Sequence, residues 1–357
     1  MSLALKYLFL HQAQRKPKLS LKMLDGSKRI PISSSSNLRV EVYLIGYKSL
    51  GESIVILFID IGDHSVKYSM VIDCYEYKRK NLTDQILRQN KVSTLSLLCW
   101  THPDLDHSLG LDHIITKYCK DTTKIIIPEH FYNLPDDIVS IRKKREKDAI
   151  DKIFNLNRIK KQTIATTSVP SQGNIIIEEL CFSSFNKDTK VKIYALTPIS
   201  SILANHKQEG RRNINKNELS ISILIAIDEY HMYFGGDTPN NHLERINRLY
   251  FKNCRFVKIP HHCSYSSNWL IESMDMYDDI LDCACTTSYK QHGLPNHDLL
   301  EKYEKKFDSV LCTGGIGHND QDYGIVKFKY DFSKEDLDID IEVKGNAYKY
   351  ENQTDDL

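Results

Sequence analysis

The sequence predicts a layered α/β protein, and three observations carry that expectation. Near the start lie three apolar, β-branched runs with turns between them: Leu38-Arg39-Val40-Glu41-Val42-Tyr43-Leu44-Ile45, Ser53-Ile54-Val55-Ile56-Leu57-Phe58-Ile59 and Tyr68-Ser69-Met70-Val71-Ile72-Asp73. Helical and strand-like patterns then alternate along the chain. Finally, the buried run Leu95-Ser96-Leu97-Leu98-Cys99-Trp100 opens into Thr101-His102-Pro103-Asp104-Leu105-Asp106-His107. A strand mouth is where a layered α/β protein keeps its polar chemistry.

Size and composition set the frame. The chain has 357 residues, 41% of them apolar and 27% charged, which is the balance of a globular protein with a sizeable core. A net charge of +1 excludes nucleic-acid binding by bulk electrostatics, so any such binding needs a local patch. The nine cysteines stand singly apart from Cys283 and Cys285, and no CxxC pair occurs, which predicts a reducing compartment and buried thiols. The run Leu3-Ala4-Leu5-Lys6-Tyr7-Leu8-Phe9-Leu10 is broken by Lys6 and too short for a bilayer, so the expected location is cytoplasmic, with no membrane partner.

Element by element, residues 1–37 read as an N-terminal extension that carries Arg15-Lys16-Pro17-Lys18 and ends in the serine loop Ser33-Ser34-Ser35-Ser36. Residues 38–332 form the main domain, beginning with the three strands above. Residues 81–90 have a helical pattern, and Lys124-Ile125-Ile126-Ile127-Pro128 is a further buried strand. A basic amphipathic insert occupies about residues 136–162, with Arg142-Lys143-Lys144-Arg145-Glu146-Lys147 at its centre. It is either a solvated helix face or a phosphate-backbone contact. After a hairpin pair over 163–200, the loop containing Arg211 and Arg212 either clamps an anionic substrate or is a plain surface loop. Strands at 219–227, 232–234 and 256–259 follow, the second ended by Gly235-Gly236-Asp237 and the third by Pro260-His261-His262. Ser264, Ser266 and Ser267 either donate to a phosphate or cap the next helix. A helix-strand unit over 305–312 and a strand at 322–328 complete the domain, with His318 in a loop as a structural residue. Residues 333–357 are an acidic C-terminal strand and tail.

The chemistry concentrates in residues 102–107. A strand end that turns into a helix can point alternate side chains to two sides of one pocket, so His102 and Asp104 would hold one ion and Asp106 and His107 its neighbour. The alternative is that both aspartates cap the helix and both histidines lie on the surface. The stretch reads HxDxDH. It resembles the first metal motif of the metallo-β-lactamase fold hydrolases, HxHxDH, with Asp104 in place of the second histidine. This variant resembles the metallo-β-lactamase-like domain of the ComEC family of competence proteins and its soluble relatives. Three more blocks follow in the order that resemblance requires: Asn217-Glu218-Leu219-Ser220-Ile221-Ser222, Tyr233-Phe234-Gly235-Gly236-Asp237 and Lys258-Ile259-Pro260-His261-His262-Cys263-Ser264. Together they span about residues 38–330.

The resemblance implies a four-layer αββα metallo-β-lactamase sandwich holding two divalent ions. Asp237 would bridge them, one of His261 and His262 would complete the second position, and Asp106 would orient the attacking water. Asn217 stands near the place of a third histidine, and Asp73 either ends a strand beside the ions or is a turn residue. Oxygen-rich sites favour manganese, without excluding zinc. In the family the doubled histidine is followed by Gly-Ser; here Cys263 replaces the glycine. A last block, Tyr289-Lys290-Gln291-His292-Gly293-Leu294-Pro295-Asn296-His297, resembles the family's Gly-His-Pro loop, with Leu294 in the histidine's place. His292 and His297 are therefore the candidates for substrate contact or general acid.

The expected function is a metal-dependent hydrolase, read as a phosphodiesterase or nuclease that uses a metal-bridged hydroxide on nucleic acid or a nucleotide. Arg211, Arg212, Asn217 and Ser264 are the expected substrate contacts. Two alternatives stand beside it: a metallohydrolase of a small ester, lactone or thioester, and a scaffold module of the same fold whose metal site has decayed.

Overall fold

The computed structural model describes residues 27–33, 38–129, 164–167, 169–170, 173–184, 188–208, 215–276, 280–314, 321–332 and 337–351. The basic insert at 136–162, Arg211, Arg212 and His318 lie outside the described residues.

The chain opens with β1 (Lys28–Pro31), β2 (Leu38–Tyr47), β3 (Glu52–Asp60) and β4 (Val66–Ile72), then α1 (Leu82–Gln89) and β5 (Leu97–Cys99). Two short helices, α2 (Leu105–Ser108) and α3 (Leu111–Tyr118), lead to β6 (Lys124–Pro128) and β7 (Ile164–Thr167). Next come β8 (Ile175–Ser183), β9 (Asp188–Ala195), α4 (Ser200–Gln208), β10 (Ile223–Ile227), β11 (Tyr230–Phe234), α5 (Asn240–Leu243) and β12 (Cys254–Lys258). The last part holds α6 (Trp269–Met274), β13 (Leu281–Thr287), α7 (His297–Lys306), β14 (Phe307–Thr313), β15 (Tyr323–Asp331), β16 (Asp338–Gly345) and β17 (Tyr348–Lys349).

Among the described residues these strands form two sheets. One has eight strands in the order β16-β15-β2-β3-β4-β5-β6-β7, and the other has nine in the order β1-β8-β9-β10-β11-β12-β13-β14-β17. The period-two rule explains how they stack. On β2, Val40, Val42 and Leu44 point into one apolar cluster together with Ile193, Ile223, Ile225 and Phe256 of the other sheet. Tyr43, Ile45 and Tyr47 point the opposite way, into a second cluster with Leu82 and Ile86 of α1 and Ile114 and Ile115 of α3. On the far side, Tyr233 and Val257 of the nine-stranded sheet meet Leu270 and Ile271 of α6 and Leu300 of α7. The result is helix, sheet, sheet, helix: the four-layer αββα sandwich the sequence led us to expect. Strands buried on both faces explain the near-continuous apolar runs, and each such Val, Ile or Leu contributes roughly 1.5–3 kcal/mol on burial.

The termini add strands at the sheet edges: β16 is the C-terminal strand expected from the sequence, while β1 and β17 were not anticipated. β1, within the N-terminal extension, pairs in parallel with β8. β16 pairs with β15, and β17 with β14. No helix among the described residues is long and apolar enough to cross a membrane.

α1 shows how the outer layer is fixed. Asn81 caps it by accepting from the Asp84 backbone N–H at 3.0 Å. The Asp84 carboxylate then ties α1 to α3, accepting from Lys117 Nζ and from the Tyr118 hydroxyl, each at 2.6 Å. Burial alone would raise its pKa, but these donors outweigh burial and bring it down to about 2. A depressed carboxyl stabilises the fold above its unfolded value of about 4 and loses that contribution as pH falls toward about 2. Asp84→Asn is therefore expected to cost about 1–2 kcal/mol at neutral pH, since Lys117 is partly solvated, and nothing at very low pH. Urea titrations at the two pH values check it.

Candidate metal centre

The candidate ligands that the structure describes sit on one edge of the sandwich, beyond the carboxyl ends of parallel strands. From the eight-stranded sheet, β4 delivers Asp73 and β5 delivers Thr101 through His107; these strands run parallel. From the nine-stranded sheet, the parallel strands β11, β12 and β13 deliver Asp237, His262 and Thr287. The two edges are joined directly, because the Ile221 N–H donates to the Thr101 carbonyl at 3.1 Å.

Gly235 and Gly236 make the approach of Asp237 possible. A Cβ on Gly235 would lie 2.7 Å from the Pro260 ring, and Gly236 has φ +52 with Ser220 Oγ where its Cβ would be. The same Ser220 hydroxyl accepts from the Asp237 backbone N–H at 2.8 Å. The histidine loop is more strained: His261, His262 and Cys263 have φ of 48, 51 and 62, three consecutive left-handed residues without a glycine. Each costs roughly 1–2 kcal/mol, and such strain persists where the surroundings over-determine it, typically at functional sites. Cys263 thus adopts a glycine-like backbone despite its side chain, which is buried.

Proton positions follow from the hydroxyl partners. Thr101 donates its single hydroxyl proton to Asp73 Oδ2 at 2.5 Å, so at 2.9 Å it can only accept from His102 Nδ1. Asp73 Oδ2 also accepts from His107 Nδ1 at 2.8 Å. Thr287 donates to Glu52 Oε2 at 2.7 Å and so accepts from His262 Nδ1 at 2.7 Å. All three imidazoles therefore carry Nδ1–H and aim Nε2 inward, the nitrogen a metal ligand would use.

Those Nε2 atoms face carboxylates. His102 Nε2 lies 3.5 Å from Asp104 Oδ2 and 3.6 Å from Asp237 Oδ2. His107 Nε2 lies 3.6 Å from Asp106 Oδ2 and 3.5 Å from Asp237 Oδ1, and His262 Nε2 lies 3.2 Å from Asp106 Oδ2. The three Nε2 atoms, Asp106 Oδ2 and Asp237 Oδ1 are buried without a hydrogen-bond partner. Carboxylates do not converge on imidazole nitrogens in a buried pocket without positive charge among them, supplied by a bound cation or by protons on the imidazoles that the cation would displace. The residues fit a metal, with Asp106, His107 and His262 on one side, His102 and Asp104 on the other, and Asp237 reaching both.

The field of the pocket agrees. Burial would lower His107 and His262, but Asp237 and Asp106 outweigh it, with Asp73 adding at His107 and Glu52 at His262, and hold both above the ordinary histidine value. Burial would raise Asp237 and Asp106; the facing histidines overcome it and hold both below the ordinary carboxylate value. Asp104 is likewise held low, by His102 and Lys216 against burial. Asp73 also groups with His102 and His107. Its oxygens, however, are taken by the Thr101 N–H, the Thr101 hydroxyl and His107 Nδ1–H, so it orients ligands rather than being one.

The remaining candidates are placed as follows. His261 is partly exposed, hydrogen-bonded through Nδ1 to the Ser266 hydroxyl, with Nε2 at 3.1 Å from Asn217 Nδ2. Asn217 is buried and its Oδ1 has no hydrogen-bond partner. Ser264 caps the short turn after the histidines by accepting from the Ser266 N–H. His292 is exposed and packs edge-on against Tyr289, whose ring in turn lies 5.3 Å from His262. His297 opens α7, exposed, with its ring beside Tyr350.

Sequence reasoning missed a layer behind the ligands. Lys258 and Glu52, both fully buried, pair at 2.8 Å across the two sheets, and Lys258 Nζ also donates to the Gly236 carbonyl at 3.1 Å. A signal was present: a lone lysine in the apolar run Phe256-Val257-Lys258-Ile259 requires a buried anion. Tyr289, which walls His262, and Lys216, which ion-pairs with Asp104, carried no comparable signal.

No family model matches the chain, and no curated protein matches it. Among solved structures it is similar to "Crystal Structure of a New Diphosphatase from the PhnP Family", at 11% identity and a TM-score of 0.39, over 82% of this chain and 98% of that one.

Proposed function

We propose that the protein is a metal-dependent phosphoesterase acting on a phosphodiester of nucleic acid or of a nucleotide. The observation that carries this reading is the buried convergence of three imidazole Nε2 atoms on the oxygens of Asp104, Asp106 and Asp237, drawn from both sheets. Divalent ions held there would supply Lewis acidity toward a phosphoryl oxygen and an activated water. His107, His262 and Asp106 would hold one ion, His102 and Asp104 the other, and Asp237 both. Asp106 keeps Oδ2 directed into the pocket, where it can accept a proton from an attacking water. Asp73, Thr101, Thr287 and Glu52 fix the imidazole tautomers, so no side chain has to reorganise during reaction. A donor set rich in carboxylate oxygen suits manganese over zinc, and two adjacent cations suit a phosphodiester, whose attacking and leaving oxygens both carry charge.

Hydrolysis of labelled single- and double-stranded DNA, RNA and bis-p-nitrophenyl phosphate by metal-stripped protein, refilled with manganese or zinc, tests it. Cleavage should return with metal and fall by about a hundredfold or more in Asp106→Ala. Uptake of metal with no phosphodiester cut would move the reading to small esters, lactones or thioesters. No metal uptake would leave a scaffold.

A further inference from the structure

We infer that Lys216 competes with metal for Asp104, so that the two ion positions differ in affinity and the one served by His102 and Asp104 is the weak, exchangeable one. This rests on the metal reading proposed above and concerns a residue outside its ligand set.

The two sides of the pocket are built differently. One offers two imidazole nitrogens and a carboxylate that faces them: His107, His262 and Asp106. The other offers a single imidazole, His102, and Asp104, whose two oxygens are divided. Asp104 Oδ2 lies 3.5 Å from His102 Nε2, while Oδ1 is ion-paired with the Lys216 ammonium. An ammonium on a ligating carboxylate withdraws negative charge from the ion and repels it as a like charge. Lys216 is held there by its backbone: it opens a short 3₁₀ segment, Lys216–Leu219, capped by Asn215, whose side chain accepts from the Asn217 N–H at 3.2 Å. Only 15% of its side chain is exposed. The neighbouring Asn217, with a buried Oδ1 that lacks a hydrogen-bond partner, brings no charge to offset the lysine. The low-affinity side is therefore written into the 215–219 turn.

The test is titration of the metal-stripped full chain with Mn2+ alone, followed by calorimetry and by the electron paramagnetic resonance of free ion, in the wild type, Lys216→Met and Lys216→Arg. The wild type should bind in two steps. Lys216→Met should strengthen the weaker step by roughly tenfold to a hundredfold, the range of effects from groups that touch ligands, and leave the tighter step in place. Lys216→Arg keeps the cation and should keep the wild-type gap, whereas a purely structural role would not sort the variants by charge. The inference is overturned if Lys216→Met leaves both steps unchanged or weakens the second, for the lysine would then only orient Asp104. A wild type that binds no Mn2+ would overturn the metal reading itself, and this inference with it. Thermal melts of each variant without metal confirm that folding is retained.

Discussion

Asp237→Asn should lower metal-dependent hydrolysis by about three orders of magnitude, the several kcal/mol that Lewis-acid stabilisation supplies, while leaving the metal-free chain folded. The substitution is isosteric and keeps the backbone N–H that binds Ser220. What it removes is the charge common to both halves of the pocket, since Asp237 Oδ2 faces His102 and Oδ1 faces His107. No neighbour can replace it: Asp106 faces His107 and His262, and Asp104 is shared with Lys216. Metal-induced thermal stabilisation should vanish together with activity. A variant that still takes up two ions and hydrolyses normally would show that Asp237 is not shared between them.

The largest expected effect on stability belongs to Lys258→Met. Lys258 and Glu52 are both buried, so deleting the lysine leaves a buried carboxylate without its cation. Breaking such a pair by removing one partner costs about 3–5 kcal/mol, whereas neutralising both is often close to neutral. The double variant Lys258→Met with Glu52→Gln should therefore recover most of the loss. Denaturant midpoints of the wild type, the two single variants and the double variant close the cycle. Equal and additive losses would mean the pair contributes no coupling. Glu52→Gln retains a carbonyl that can accept from Thr287, so the His262 tautomer should survive it.

What could be read from the sequence divides along one physical line. Features set by neighbouring residues were legible. His102 to His107 lie on a strand end, a turn and α2, so their convergence is local, and Gly235-Gly236 before Asp237 signals a close backbone approach. The apolar runs gave β2 and β3 as strands, while the layering came from the resemblance; the structure shows each face of β2 buried against a different layer. Features set by distant residues were not legible. The choice between His261 and His262 depends on three left-handed residues that no propensity predicts, which turn His262 inward and leave His261 beside Asn217. The Glu52–Lys258 pair depends on which strands meet across the sandwich. β1 was hidden because so short a strand, exposed at three of four positions, carries almost no periodic signal.

The origin of the donors from two separate sheets has one more consequence. All nine cysteines are free thiols, so no disulfide links the halves of the sandwich. An ion held by Asp106 and His107 from one sheet and by Asp237 and His262 from the other would close a long chain loop in the way a disulfide does, restricting the separated state as well as binding the joined one. The ion would then act as a fastener on the rim, coupling mechanical closure of the sandwich to readiness for chemistry. On losing it the molecule would first gape along that rim, at the loops that follow β5 and β11, while the helix-backed outer faces stayed closed.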